Sequence, residues 1–225
     1  MILSVCFLAL LSGGLTAQNS VSIFSGVHQS NIKTNGINMD FLNFNSLTSF
    51  HAGAYFEREL SKGLSAKTGL VFTQKGFGIS ESTAVNVFGL DIPLGFSVDT
   101  RINTVDVPLS LSHELISEGN IHPYVTGGLN ISYASSAEIR TRANSILDFT
   151  LTNTKLDLSS SAFNRWSAEA LVGAGVKIDN GNNFYMAEIG YTHGLNDFTN
   201  ENSTIIDAGI RNYSVNLSVG YGIRF

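Results

Sequence analysis

Residues 212–225 alternate without a break. Tyr213, Val215, Leu217, Val219, Tyr221, Ile223 and Phe225 take the odd positions, and Asn212, Ser214, Asn216, Ser218, Gly220, Gly222 and Arg224 the even ones. A period of two puts apolar side chains on one face of a β-strand and polar ones on the other. Crossing the hydrocarbon layer of a membrane takes about 9–11 tilted strand residues, and this stretch supplies them. The aromatic Phe225 on the apolar face is the expected signal to a barrel-assembly machinery.

The same alternation recurs upstream. Val105, Val107, Leu109 and Leu111 face away from Asp106, Ser110 and Ser112. Val125, Leu129 and Ile131 face away from Tyr124, Thr126 and Asn130, and Tyr185, Ala187 and Ile189 away from Met186, Glu188 and Gly190. Trp166 to Ile178 follows the rule except at Leu171. With strands near 21–30, 49–60 and 64–77, the pattern predicts eight strands in residues 18–225. The predicted fold class is all-β: an eight-stranded antiparallel up-and-down transmembrane β-barrel.

Closure follows from the solvent. Hydrocarbon offers no hydrogen-bond partners, so an open sheet edge would leave backbone groups unpaired at several kcal/mol each. Eight strands leave an interior just wide enough for side chains to fill, which argues against a water-filled pore. Gly69, Gly128, Gly173, Gly175, Gly190 and Gly220 are expected mostly on the inward face, where they relieve crowding.

The connections alternate between two kinds. Ser61-Lys62-Gly63, Ser117-Glu118-Gly119-Asn120 and Asp179-Asn180-Gly181-Asn182 are short and rich in residues that tolerate positive φ. Residues 31–48, 79–100, 140–164 and 196–208 read as long polar loops, all projecting from one end. That asymmetry is the one between short periplasmic turns and long outer loops, and it places residue 18 and Phe225 on the periplasmic side. Within 79–100, Val85, Val87, Phe88, Leu90 and Ile92 are apolar enough to extend a hairpin above the membrane or meet a partner.

The hydrophobic fraction is 43%, yet no internal run approaches the ~20 residues of a membrane helix. Only the N-terminus is continuously apolar, and Leu15-Thr16-Ala17 follows it as a small-residue cleavage site. Residues 1–17 are therefore read as a secretory signal peptide. The single cysteine, Cys6, lies inside it, so no disulfide or cysteine metal site is expected in residues 18–225. A net charge of −5 with scattered basic residues argues against a nucleic-acid partner.

Parity places an unusual set of charges inside: Glu57, Glu59, Lys67, Lys75, Asp106, Glu114, Glu169, Lys177, Glu188 and Arg224. Buried charges are costly unless paired, so a lumen charge network is expected, with an ion path as the sharper alternative. His51, His113 and His193 raise the question of hydrolysis, but His113 and His193 fall on the apolar face, away from Ser110 and Ser112. No catalytic residue, metal ligand or cofactor is expected. Tyr55, Phe56, Phe72, Phe77, Tyr133, Trp166, Tyr185, Tyr191, Tyr213, Tyr221 and Phe225 read as an interfacial girdle.

Several segments, in order, resemble the PorT-like outer-membrane β-barrel proteins of Bacteroidota. They are Gly63-Leu64-Ser65-Ala66-Lys67-Thr68-Gly69-Leu70-Val71-Phe72-Thr73-Gln74-Lys75-Gly76, Val105-Asp106-Val107-Pro108-Leu109, His122-Pro123-Tyr124-Val125-Thr126-Gly127-Gly128, Gly173-Ala174-Gly175 and Tyr191-Thr192-His193-Gly194-Leu195-Asn196. The resemblance implies an eight-stranded barrel in the outer membrane. The family's namesake is associated with secretion and gliding machinery, and no catalytic residues carry over. The expected function is a non-enzymatic outer-membrane barrel with a structural or protein-interaction role through its outer loops, linked to secretion or envelope function. Its expected partners are outer-membrane lipid, the assembly machinery and an envelope protein. A secreted lipocalin-like barrel binding an apolar ligand and an outer-membrane lipid-modifying enzyme remain open alternatives.

Overall fold

The computed structural model describes residues 18–35, 44–87, 90–116, 118–144, 149–156, 164–196 and 209–225. The expected signal peptide, parts of the expected outer loops including Phe88, and Ser117 lie outside them. Among these residues nine strands run in chain order: β1 Asn19–Asn35, β2 Phe44–Ser61, β3 Leu64–Val87, β4 Leu90–Glu114, β5 Ile121–Asn144, β6 Phe149–Leu156, β7 Trp166–Asn180, β8 Asn183–Gly194 and β9 Gly209–Arg224.

Eight of them close a ring in the order β1, β2, β3, β4, β5, β7, β8, β9 and back to β1, every pair antiparallel. The seam between first and last strands runs from Ser20↔Arg224 to Asn35↔Gly209. Beyond it, Asn19 N–H donates to Phe225 O at 3.0 Å and Phe225 N–H to Asn19 O at 2.9 Å. The ninth strand, β6, is not a stave. It pairs with the far end of β5, from Ala137↔Leu156 to Ala143↔Phe149, while β5 meets β7 only below Tyr133.

Three tight connections mark one end of the barrel, and each carries a glycine in the left-handed region: Gly63 at φ 77°, Gly119 at 86° and Gly181 at 66°. A Cβ there would crowd the following carbonyl, so glycine sets these turns. The opposite end differs from the loops expected at 79–100 and 140–164. β3 and β4 continue as a hairpin to Val87↔Leu90, and β5 and β6 form a second one. At 24 and 25 residues, β3 and β4 are roughly twice as long as a membrane crossing requires.

The wall is apolar outside and polar inside. Ile23, Leu70, Val172, Leu217 and Val219 are exposed on the outer face, while Lys67, Lys75, Glu169, Lys177 and Glu188 are buried. A lipocalin-like chain would show the reverse. The aromatics divide too. Trp166, Tyr185, Tyr191, Tyr221 and Phe225 are exposed outside, but Tyr55, expected in the girdle, lies in the lumen and stacks on Phe24 at 4.2 Å between ring centroids. Its odd number in β2 puts it on the face of Glu57, opposite Phe56.

Candidate functional site

The interior is crossed by three lysines, each held by a carboxylate at 2.6 Å: Lys67 Nζ to Glu188 Oε2, Lys75 Nζ to Glu169 Oε1, and Lys177 Nζ to Glu57 Oε2. Counting round the ring, β3 reaches β8 in four steps, through β4, β5 and β7, and β7 reaches β2 in four. Four steps in an eight-strand ring is half the circumference. The Lys67–Glu188 and Lys177–Glu57 pairs therefore join opposite walls.

Neighbours complete each pair. Tyr124 Oη donates to Glu188 Oε2 at 2.7 Å, and Lys67 Nζ stands 4.3 Å from the Tyr55 ring centroid. Lys75 also donates to Ser132 Oγ at 2.9 Å and approaches Asp106 Oδ2 at 3.4 Å, while Asn130 Nδ2 donates to Glu169 Oε2 at 2.9 Å. Lys177 lies 3.7 Å from Glu114 Oε1 and 5.2 Å from the Tyr124 ring centroid. At the turn end, Arg224 Nη1 meets Asp179 Oδ2 at 2.6 Å, and His122 Nε2 meets the same oxygen at 3.1 Å.

Nine of the ten charges read as inward from parity thus fall in this network. Glu59 does not; it lines the open mouth at the turn end, and among the described residues no ion pair joins it. His122, Tyr124, Asn130, Ser132 and Asp179 were not singled out. The first four share the even face of β5, so alternation carried the signal. Asp179 was read as part of a turn, and only the register brings it against Arg224.

Glycines make room for the large lumen side chains. A Cβ at Gly175 would stand 2.6 Å from Tyr124 Oη, and one at Gly222 would enter the Phe184 ring, which is fully buried. Free space divides accordingly. A cavity of about 390 Å³ opens at the turn end, lined by Glu57, Glu59, Glu114, His122, Lys177 and Arg224. Further in, a pocket of about 40 Å³ lies against His28, His51, Lys75 and Asp106, with Leu171 and Pro108 also on its wall. Leu171 breaks the alternation of β7 because it faces inward here.

A histidine–serine pair exists where sequence reasoning did not place one. His51 Nε2 lies 2.7 Å from Ser218 Oγ. Both residues are buried, and the other ring nitrogen, Nδ1, has no hydrogen-bond partner among the described residues. Nucleophilic catalysis requires an orienting group there and access for a substrate. His113 is exposed on the outer face, and His193 Nδ1 lies 3.3 Å from Tyr191 Oη. Among the described residues, no group of three or more His, Cys, Asp or Glu side chains is arranged to hold a metal ion.

A closed antiparallel barrel with an apolar exterior and an ion-paired interior defines a β-barrel membrane protein of the outer membrane. The chain belongs to the outer membrane protein beta-barrel domain family, whose model matches residues 16–200. No curated protein matches it by sequence. Among solved structures it is similar to the outer membrane protein OprG from Pseudomonas aeruginosa, at 14% identity over 93% of this chain and 95% of that one, with a TM-score of 0.49. Ail, the attachment invasion locus protein of Yersinia pestis, is 15% identical over 92% of this chain and 99% of its own, with a TM-score of 0.38. The outer membrane protease OmpT from Escherichia coli is 11% identical over 96% and 100%, with a TM-score of 0.44. At these values none of the three bears on what the chain does.

Proposed function

We propose that this protein is a non-enzymatic, PorT-like outer-membrane barrel whose wall is a rigid support and whose outer hairpins contact another envelope protein. The carrying observation is the pair of lysine–glutamate bridges that join opposite walls, Lys67–Glu188 and Lys177–Glu57. Side chains bridged across the lumen oppose the passage of a solute and favour a single rigid wall. Recognition then belongs to what projects from the wall, because loops and hairpins on a rigid scaffold carry binding.

The β3–β4 hairpin is the main candidate. Its base is polar and cross-linked: Arg101 Nη1 donates to Gln74 Oε1 at 3.0 Å, Gln74 Nε2 to Asn103 Oδ1 at 3.0 Å, and Asn103 Nδ2 to Ser136 Oγ at 2.9 Å. Such a chain suits a sheet that stands in water above the membrane and holds its shape there.

The test is site-specific photo-crosslinking in cells from positions along residues 80–97, beside controls on the lipid-facing wall. Discrete protein adducts from the hairpin alone, lost when 80–97 is replaced by an Asn-Gly turn in a barrel that still folds, are expected. Adducts no different from those of the wall positions would overturn the interaction role. Lipid hydrolysis by the folded protein in vesicles, abolished by His51→Ala, would overturn the non-enzymatic reading.

A further inference from the structure

On the outer wall, four outward positions fall in one register row: Arg58 of β2 pairs with Ala66 of β3, Ala66 with Leu111 of β4, and Leu111 with Gly127 of β5. The next row toward the hairpin end holds Phe56, Thr68, Leu109 and Leu129. Ala66, Thr68 and Gly127 are small, so the wall dips between Phe56, Leu109 and Leu111. The dip is a groove of about 370 Å³ with Arg58 on its lining. Gly127 opens onto it: a Cβ there would find only Leu171 O, at 3.8 Å.

The row climbs into the membrane. Arg58 lies three positions before the end of β2 at Ser61, whereas Gly127 lies six positions beyond the start of β5 at Ile121. One end of the groove is therefore charged and level with the turn-end interface, and the other is apolar and deeper. The exposed His113, paired with Leu64 in the row nearer the turns, puts a further donor at the turn-end level of this wall, whereas Lys62 of the β2–β3 turn lines the lumen mouth.

An arginine at this level lays its stem on apolar surface and its guanidinium among headgroups, where the planar fork matches phosphate oxygens. We propose that the groove is a specific site for one anionic phospholipid of the periplasmic leaflet. Its phosphate sits against Arg58, and an acyl chain lies along Ala66, Leu111 and Gly127. The proposal needs only the membrane placement of the barrel and is independent of any partner of the hairpins.

The experiment is native mass spectrometry of the folded chain released from detergent micelles containing phosphatidylglycerol or phosphatidylcholine with identical acyl chains. A single phosphatidylglycerol should be retained about fivefold more than phosphatidylcholine, the weight of roughly one basic side chain at a membrane surface. Arg58→Gln should bring the two lipids level, and Gly127→Leu, which fills the groove, should lower both. Heat-modifiable migration on a gel identifies folded material for each variant. Equal retention of the two lipids by the unaltered chain, a preference that survives Arg58→Gln, or retention unchanged by Gly127→Leu would each overturn the site.

Discussion

Lys67 and Glu188 meet at 2.6 Å from strands on opposite sides of the barrel, 121 residues apart in the chain. That pair cannot form until the ring is nearly complete, because its members stand on opposite walls, although Lys67 also lies directly across the β2–β3 ladder from Glu57. The network is thus a consequence of closure and, once made, a brace against reopening.

Removing one member should cost far more than removing both charges. Lys67→Met leaves Glu188 buried without its counter-charge, a loss on the order of 3–5 kcal/mol. Lys67→Met with Glu188→Gln removes the stranded charge and keeps an acceptor for Tyr124, so it should recover most of that loss. Denaturant unfolding of the four proteins of this cycle in lipid vesicles measures the difference.

The two faces of β9 should respond differently to the same side chain. Val219 is 61% exposed on the outer wall, and Ser218 is buried against His51. Val219→Arg should cost roughly 2–4 kcal/mol near the bilayer midplane. Ser218→Arg should act through lumen crowding and leave membrane insertion less affected. Equal insertion defects, read by vesicle flotation, would contradict the assignment of faces.

Gly222 and Phe184 share one space. Gly222→Ala should cost about 1–3 kcal/mol by overpacking. Adding Phe184→Leu should relieve most of it, although Phe184→Leu alone should destabilise. Refolding yield and unfolding midpoints in detergent follow both effects.

At the turns the constraint is backbone rather than packing, since a Cβ at Gly181 meets nothing within 4 Å. Gly181→Val should cost about 1–2 kcal/mol because φ is 66°. Gly181→Asn should cost less, as asparagine tolerates that region. The unfolding midpoints of the two variants rank them.

The staves, the three turns and the side of the wall each charge faces could be read from the chain because lipid and lumen impose opposite demands on neighbouring residues. Ser214 against Val215 and Glu188 against Ile189 leave no ambiguity of face. What alternation does not contain is stagger, so nothing local says that Lys67 finds Glu188 or that Asp179 finds Arg224. The β3–β4 hairpin was legible in part: Val85 to Ile92 read as a stretch able to extend a hairpin, and the pairing runs to Val87↔Leu90. The run before it read as a polar loop because Ser80, Glu81, Ser82 and Thr83 are four polar residues in succession, without the alternation of a lipid-facing strand.

The most direct test of the filled lumen is single-channel recording in planar bilayers, with folded protein identified by its heat-modifiable mobility. The account predicts a silent baseline for the unaltered barrel. Sustained, reproducible ion-conducting steps from that protein would contradict it.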